Sequence, residues 1–460
     1  MTNHKRSELL NLKYKFLLLI FMVATTAITN EKNDFTVKYP EAKLRFATVI
    51  RSCKIIQKTE KEKESISTTS QNGISKAKSG TYGDDVAFMQ NYIDLIQLTD
   101  ASGQSKVAIS AALQGRVMTS SAFGADGRSY GWINKELFKS KEIQEHINVY
   151  GGEERFWIGP EGGQYSIFFK KGDSFTLADW YTPKLIDLEP FDVKSVSGTK
   201  AVFTKKASLA NYSGFQFDME LEREVAILSK QEIQKELGLA SLGEQIKTVA
   251  YQTTNKITNA GKTNWEKETG LLSIWLLGMF NHSPDTTILV PFVQGSESEL
   301  GPIVNDAYFG KVPSDRLVVT DKVIYFKGDG EFRSKIGLSP ARAKNIAGSY
   351  DSKNGILTIL KYNKPENVTD YVNSMWEIQK NPFEGDVINA YNDGAPNPGE
   401  KPLGPFYELE SSSPALALKP GQSGTHIQLT CHIEGDEASL NPIVQKLFGV
   451  TIEDVKKAFN

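Results

Sequence analysis

The sequence predicts an all-β chain made of antiparallel sheets, and three observations predict it. Short runs of alternating apolar and polar residues recur along most of its length, each bounded by Gly, Pro, Asn or Asp turn signals. Helical periodicity is confined to brief stretches, so the strand–helix alternation of a parallel sheet is missing. No segment repeats at a fixed period, which disfavours propellers and solenoids. The 460 residues can bury at least one large core, and all-β chains of this length often form one long domain. A formal net charge of −2 implies no polyanionic partner. No basic stripe interleaved with aromatics points to nucleic acid.

Taken in order, residues 1–27 read as a signal peptide or anchor. Lys5, Arg6, Lys13 and Lys15 precede an apolar run over 16–23, and small residues follow at 24–27. The run is short for a membrane span. Residues 28–80, rich in Lys, Glu, Ser and Thr, are expected to be a disordered tether. Within it the apolar stretch 46–50 leads into Arg51-Ser52-Cys53, in the manner of a lipoprotein start, although Arg51 suits the site upstream of a lipidated cysteine poorly. The expected location is therefore secreted, periplasmic or cell-envelope, with lipid anchoring at Cys53 as the alternative. The second of the two cysteines, Cys431, lines up with Ile427, Leu429 and Ile433 and is expected to be a buried thiol. No Cys/His cluster has metal-ligand spacing, and neither metal nor cofactor is expected.

The folded domain is expected over 81–435. Residues 86–98 fit helix or strand. Strands are predicted at 107–113, 116–118, 156–158, 165–169, 201–204, 216–225 and 247–257. Within 216–225, Phe217, Met219 and Leu221 alternate with Asp218, Glu220 and Glu222. The apolar run 270–280 reads as a central strand buried on both faces. Runs at 317–320, 322–327 and 331–336 read as a meander, turned in part by Gly328-Asp329-Gly330. Further strands follow at 356–362, 374–379, 406–410 and 425–433. A short helix is predicted at 229–239. Residues 436–460 predict a helical extension, with Thr451 and Asp454 spaced as a capping box, docked on the sandwich edge.

Residues 404–421, GPFYELESSSPALALKPG, carry the main functional signal. On the strand, Tyr407 and Leu409 face one way, Glu408 and Glu410 the other. Two carboxylates on one strand face cannot both enter an apolar core without large cost. They face water, a cation, or a cleft holding a polar ligand. A surface pair, or ion pairs with Arg333 and Lys335, is an equal reading.

This stretch resembles the end of the aldose 1-epimerases (galactose mutarotases). There a strand carries a catalytic Glu in a Glu-Thr-Gln motif, followed by a Pro, a crossing, a Leu-x-Pro-Gly turn and a final strand. Here Glu410-Ser411-Ser412-Ser413-Pro414 leads to Lys419-Pro420-Gly421 and the strand from Thr425. Residues 251–261, YQTTNKITNAG, resemble a mutarotase strand in which asparagines precede a turn. With GRVMTSSAFGADGRSYGWIN, GGEERFWIGPEGGQYSIFF and FRSKIG, the core over 82–433 is similar to a secreted bacterial branch, of unknown function, of the galactose-mutarotase-like superfamily. The resemblance implies a supersandwich of two large antiparallel sheets with a sugar-sized cleft on one of them. It also implies Glu410 as the catalytic Glu, with Glu408 beside it. The pattern departs at Ser412, where the family has Gln. It departs again at Asn281-His282-Ser283, which lacks the Tyr-Phe that follows the family's acid His.

Mutarotation needs a base for the anomeric hydroxyl and an acid at the ring oxygen. Glu408 and Glu410, sharing a proton, are the catalytic candidates. Arg116, Arg155, Trp157, Glu161 and Arg333 are the substrate-binding candidates. Arg155 and Glu161 flank the turn Gly159-Pro160-Glu161-Gly162-Gly163, whose glycines let the backbone approach a neighbour or ligand. Trp132, Trp157 and Trp180 suit stacking on sugar rings, although core packing is the commoner place for a tryptophan. His426 and His432, on one face with Gln428 and Thr430, are expected on a solvated edge. The implied function is carbohydrate binding, with sugar epimerisation or mutarotation by carboxylate acid/base catalysis. The alternative is a non-catalytic carbohydrate-binding or structural component of a surface glycan-processing system. A lyase or hydrolase is a third reading.

Overall fold

The computed structural model describes residues 80–397 and 399–459. The expected leader, most of the tether and Cys53 lie outside the described residues. In chain order the strands are β1 (Ile96–Thr99), β2 (Lys106–Ser110), β3 (Arg116–Ser121), β4 (Arg155–Gly159), β5 (Asp192–Val196) and β6 (Lys200–Ala210). Next come β7 (Gln216–Ile227), β8 (Lys247–Asn259), β9 (Ser273–Asn281), β10 (Thr286–Pro291), β11 (Leu317–Val319) and β12 (Val323–Lys327). The remainder are β13 (Ser334–Leu338), β14 (Ile346–Asp351), β15 (Ile356–Tyr362), β16 (Ile388–Asn392), β17 (Phe406–Ser412) and β18 (Ser423–Glu434).

The fold is all-β, and its strand pairings are antiparallel. A ten-stranded sheet has the order β11-β12-β10-β14-β15-β18-β8-β7-β6-β5, and a five-stranded sheet the order β13-β16-β17-β9-β4. A three-stranded sheet, β1-β2-β3, joins the five-stranded one through the bridge between Val117 and Glu154. These two form one layer, packed on the ten-stranded sheet by two large apolar clusters. Alternation decides the faces. In β7, Phe217, Met219, Leu221 and Val225 are buried inward, while Glu220, Glu222 and Glu224 point out to Lys206, Lys194 and Lys200. In β9, Ile274, Leu276 and Phe280 join the inter-sheet clusters. At Gly278 a Cβ would lie 2.4 Å from the Glu153 carbonyl, so only glycine fits there.

Several expectations change. Residues 86–98 divide into a helix, Tyr82–Met89, and β1. The runs 165–169 and 374–379 are irregular, because neither has a neighbouring strand to complete its ladder. The meander splits: β11 and β12 lie at one edge of the large sheet, whereas β13 starts only at Ser334 and joins the five-stranded sheet. The C-terminal extension is two helices, Glu437–Phe448 and Ile452–Lys457, and the Thr451–Asp454 capping box opens the second. They cover the outer face of the large sheet, not its edge. Leu440, Val444, Phe448 and Ile452 pack on Tyr350, Leu357, Leu429 and Cys431, because the strands at this end carry apolar residues on both faces. No helix among the described residues is long and apolar enough to cross a membrane.

The largest correction concerns β18. With Leu429, Cys431 and Ile433 under the helices, His426, Gln428, Thr430 and His432 face inward and are fully buried, not on a solvated edge. Of these, His432 and Gln428 meet Glu153 and Glu154. Glu153 accepts from the Ser120 amide and hydroxyl and lies 3.1 Å from His432 Nε2. Glu154 accepts from Arg223 Nη2 at 2.9 Å and Gln428 Nε2 at 2.7 Å. The Tyr130 ring stacks on His432 with centroids 4.1 Å apart. Burial pushes the His426 imidazole down to about 3, so it stays neutral at ordinary pH.

Candidate functional site

The five-stranded sheet turns one face to the large sheet and the other to a cavity of about 740 Å³. Alternation sorts the side chains. Tyr407, Leu409 and Ser411 of β17 go inward, the Tyr407 hydroxyl to Ser349 and the Ser411 hydroxyl to Gln428. Glu408, Glu410 and Ser412 line the cavity. Trp275 and Leu277 of β9, Arg155 and Trp157 of β4, Asn389 and Tyr391 of β16 and Lys335 of β13 complete its floor. β17 lies between β16 and β9, so ladder bonds on both sides fix the two carboxylates.

Both carboxylates have cationic partners. Arg155 Nη2 is 2.5 Å from Glu408 Oε1. Lys335 Nζ donates to Glu410 Oε2 at 2.8 Å, and Trp275 Nε1 donates to the same oxygen at 2.9 Å. Glu410 Oε1 is buried with no partner. The Lys335 ammonium also lies 5.0 Å from the Trp275 ring centre, and the Arg155 guanidinium 4.9 Å from that of Trp157. Lys335 and Trp275 thus cover Glu410, which is inaccessible to water.

Burial pushes the Glu408 carboxyl up to about 7; Arg155 opposes the rise and the Glu410 charge adds to it. Glu161, on the wall above, is likewise pushed up to about 7 by burial, against the pull of Lys335. Burial works against the Lys335 ammonium, but the charges of Glu410, Glu161 and Glu408 outweigh it and leave its pKa raised. Two carboxyls near half-protonation at neutral pH beside a firmly charged lysine can give and take protons. Asp386, bonded to Tyr308 and Asn305, and Asp393, bonded to the Tyr391 hydroxyl at 2.6 Å, are also raised by burial. Among the described residues no group of three or more His, Cys, Asp or Glu is placed to hold a metal ion.

Residues 80–459 match the family described as a family of unknown function, DUF6786. The chain belongs to that family. No curated protein matches this DUF6786 member. Among solved structures it is similar to a protein from Escherichia coli K12 provisionally assigned as an aldose 1-epimerase, at 13% identity and a TM-score of 0.43, covering 74% of this chain and 99% of that one. It is similar to a galactose mutarotase-like protein from Lactobacillus casei ATCC 334, at 12% identity and a TM-score of 0.41, covering 74% and 100%. A galactose mutarotase related enzyme from Lactobacillus acidophilus is similar at 10% identity and a TM-score of 0.39, covering 74% and 97%.

In this DUF6786 member the cavity gathers Glu408, Glu410, Arg155, Trp157, Glu161 and Arg333. Arg116 does not join them. Its side chain is buried behind the wall and donates to the Gly151 carbonyl and Gln114 Oε1, each at 3.1 Å. The adjacent glycine turn, Gly151-Gly152, takes that guanidinium and keeps it from the cavity. Trp132 also lies outside, packed on Phe406 with centroids 4.8 Å apart, while Trp180 lines the wall. His282 lies beside Gly330, away from the cavity. The glycines of the 159–163 turn approach the chain itself: a Cβ on Gly162 would lie 2.4 Å from the Met375 carbonyl. In the sequence Lys335 read as an ion-pair partner on a charged strand face, and Trp275 as core. The period-two phase of Trp275 with Leu277 was the available signal for its side of the strand. His146, Trp376, Tyr308 and Asp386 stand on irregular segments, beyond the reach of periodicity.

Proposed function

We propose that the chain binds a carbohydrate in this cavity and interconverts its anomers by carboxylate acid/base catalysis. Glu410 acts as the base and takes the proton of the anomeric hydroxyl. Glu408, able to hold a proton near neutrality, donates to the ring oxygen as the bond from that oxygen to the anomeric carbon breaks. Rotation of the resulting aldehyde and reversal of both transfers closes the other anomer, leaving each carboxyl as it began. The observation that carries this reading is the unpartnered Oε1 of Glu410 beside a carboxyl pushed up to about 7. Ligand entry must move Lys335 or Trp275 to reach that oxygen. The tryptophan walls suit the apolar face of a sugar ring.

Anomer exchange measured by NMR on neutral and acidic monosaccharides tests it. The expected result is acceleration that Glu410→Gln and Glu408→Gln each reduce by about 10²–10⁴-fold. Rates equal with and without protein would overturn the catalytic reading. A second reading, sugar binding without chemistry, is favoured by the ion pairs that hold both carboxylates. It expects saturable binding in the same samples with unchanged exchange rates.

A further inference from the structure

The cavity exceeds what one sugar ring requires. A hexose, with about a dozen non-hydrogen atoms, fills no more than about 360 Å³ even if each is given the ~30 Å³ of a water in the liquid. The cavity holds about 740 Å³. Strand register places the surplus. In one direction from the carboxylates, Ser412 pairs with Trp275 and Trp275 with Trp157, an aromatic end. In the other, Glu408 pairs with Tyr391, Tyr391 pairs with Lys335, and Arg333 lies two residues beyond.

That second end has its own recognition chemistry. The Arg333 guanidinium lies 3.9 Å from the Phe309 ring centre and makes neither hydrogen bond nor ion pair among the described residues. Asp393, whose charge it feels, is held by the Tyr391 hydroxyl and the Gly404 amide. Phe309 is 46% exposed and is braced edge-on by Tyr391 with centroids 6.0 Å apart. Arg333 covers one face of Phe309, and the exposed remainder of that ring, beside N–H donors without a hydrogen-bond partner, is complementary to a ring with an apolar face and a polar rim.

We propose that the ligand is a saccharide of at least two units, one over Glu408 and Glu410 and the next stacked on Phe309 and hydrogen-bonded by Arg333. This rests on the sugar reading above. A carboxylate on the second unit meets the Arg333 fork with two parallel hydrogen bonds, so an acidic disaccharide binds more tightly than a neutral one.

Calorimetric titration with glucose, galactose and galacturonic acid, and with cellobiose, lactose and digalacturonate, tests the proposal. At least one disaccharide is expected to bind about tenfold tighter than its own monosaccharide, with digalacturonate the tightest. Phe309→Ala and Arg333→Ala are each expected to bring that affinity ratio close to one. Phe309 is exposed and Arg333 half-buried, and thermal melting checks that the variants fold. Equal affinity for one and two units, or a ratio that neither variant alters, overturns the second subsite and leaves the anomer-exchange reading intact. Binding of none of these sugars overturns both.

Discussion

The two faces of the five-stranded layer each bury a pair of glutamates, and the pairs are built differently. Between the sheets, Glu153 and Glu154 use all four carboxylate oxygens, accepting from Ser120, His432, Arg223 and Gln428. On the cavity face, Glu408 is held through one oxygen by Arg155, and Glu410 leaves Oε1 without a partner. A buried polar cluster with every acceptor engaged organises a core. The leftover acceptor on the cavity face is the one the proposed ligand hydroxyl would meet. Burial is common to both pairs; what separates them is the number of carboxylate oxygens already engaged.

Removing the partner of a fully engaged carboxylate breaks the comparison most severely. Arg223→Leu strips Glu154 of its cation inside the core and is expected to cost about 3–5 kcal/mol in chemical denaturation. Glu410→Gln is expected to cost less, about 1–2 kcal/mol by the same measurement, because Lys335 keeps the cavity and Glu161. A loss for Glu410→Gln that matches Arg223→Leu would erase the distinction between the pairs.

The pH dependence sharpens it. Glu408 rises from 4.5 to about 7 on folding, so the unfolded chain releases this proton first. Its contribution to stability is complete below about pH 4.5 and is lost as pH climbs through about 7. Melting temperatures of the wild type should fall across that window more steeply than those of Glu408→Gln, and parallel curves would refute the assignment. Lys335→Met removes a cation that pulls both Glu161 and Glu408 down, so carboxyl NMR titrations should move upward for both. The smallest effect belongs to the water-washed row on β7. Lys206→Ala breaks a pair with Glu220 that is exposed on both sides and should change stability by less than about 0.5 kcal/mol.

Much of this fold was legible in the sequence where one side of a strand was polar and the other apolar. The alternation at 216–225 put Phe217 and Met219 inside and Glu220 and Glu222 outside, as they stand. The same rule failed at β18, because period two separates two faces without saying which is covered. There the helices after residue 436 cover the apolar face and the histidines turn inward. Residue type held a hint: the buried row is His, Gln and Thr, whereas the outward row of β7 is Asp and Glu. Arg223, standing in phase with Leu221 and Val225, was a second unread signal of an interior ion pair. The orientation of Glu408 relative to Leu409 was readable, but Lys335, Trp376 and Asp386 come to the cavity through pairings of strands and loops distant in sequence.

The split between ladder and loop has an engineering corollary. Glu408 and Glu410 sit on a strand braced from both sides, while Glu161, Trp180, Phe309 and Trp376 hang from segments outside the ladders. Grafting different segments onto these positions would reshape the cavity wall while the strand that carries Glu408 and Glu410 stays held by its neighbours, although replacing Glu161 would also withdraw a charge that raises Lys335.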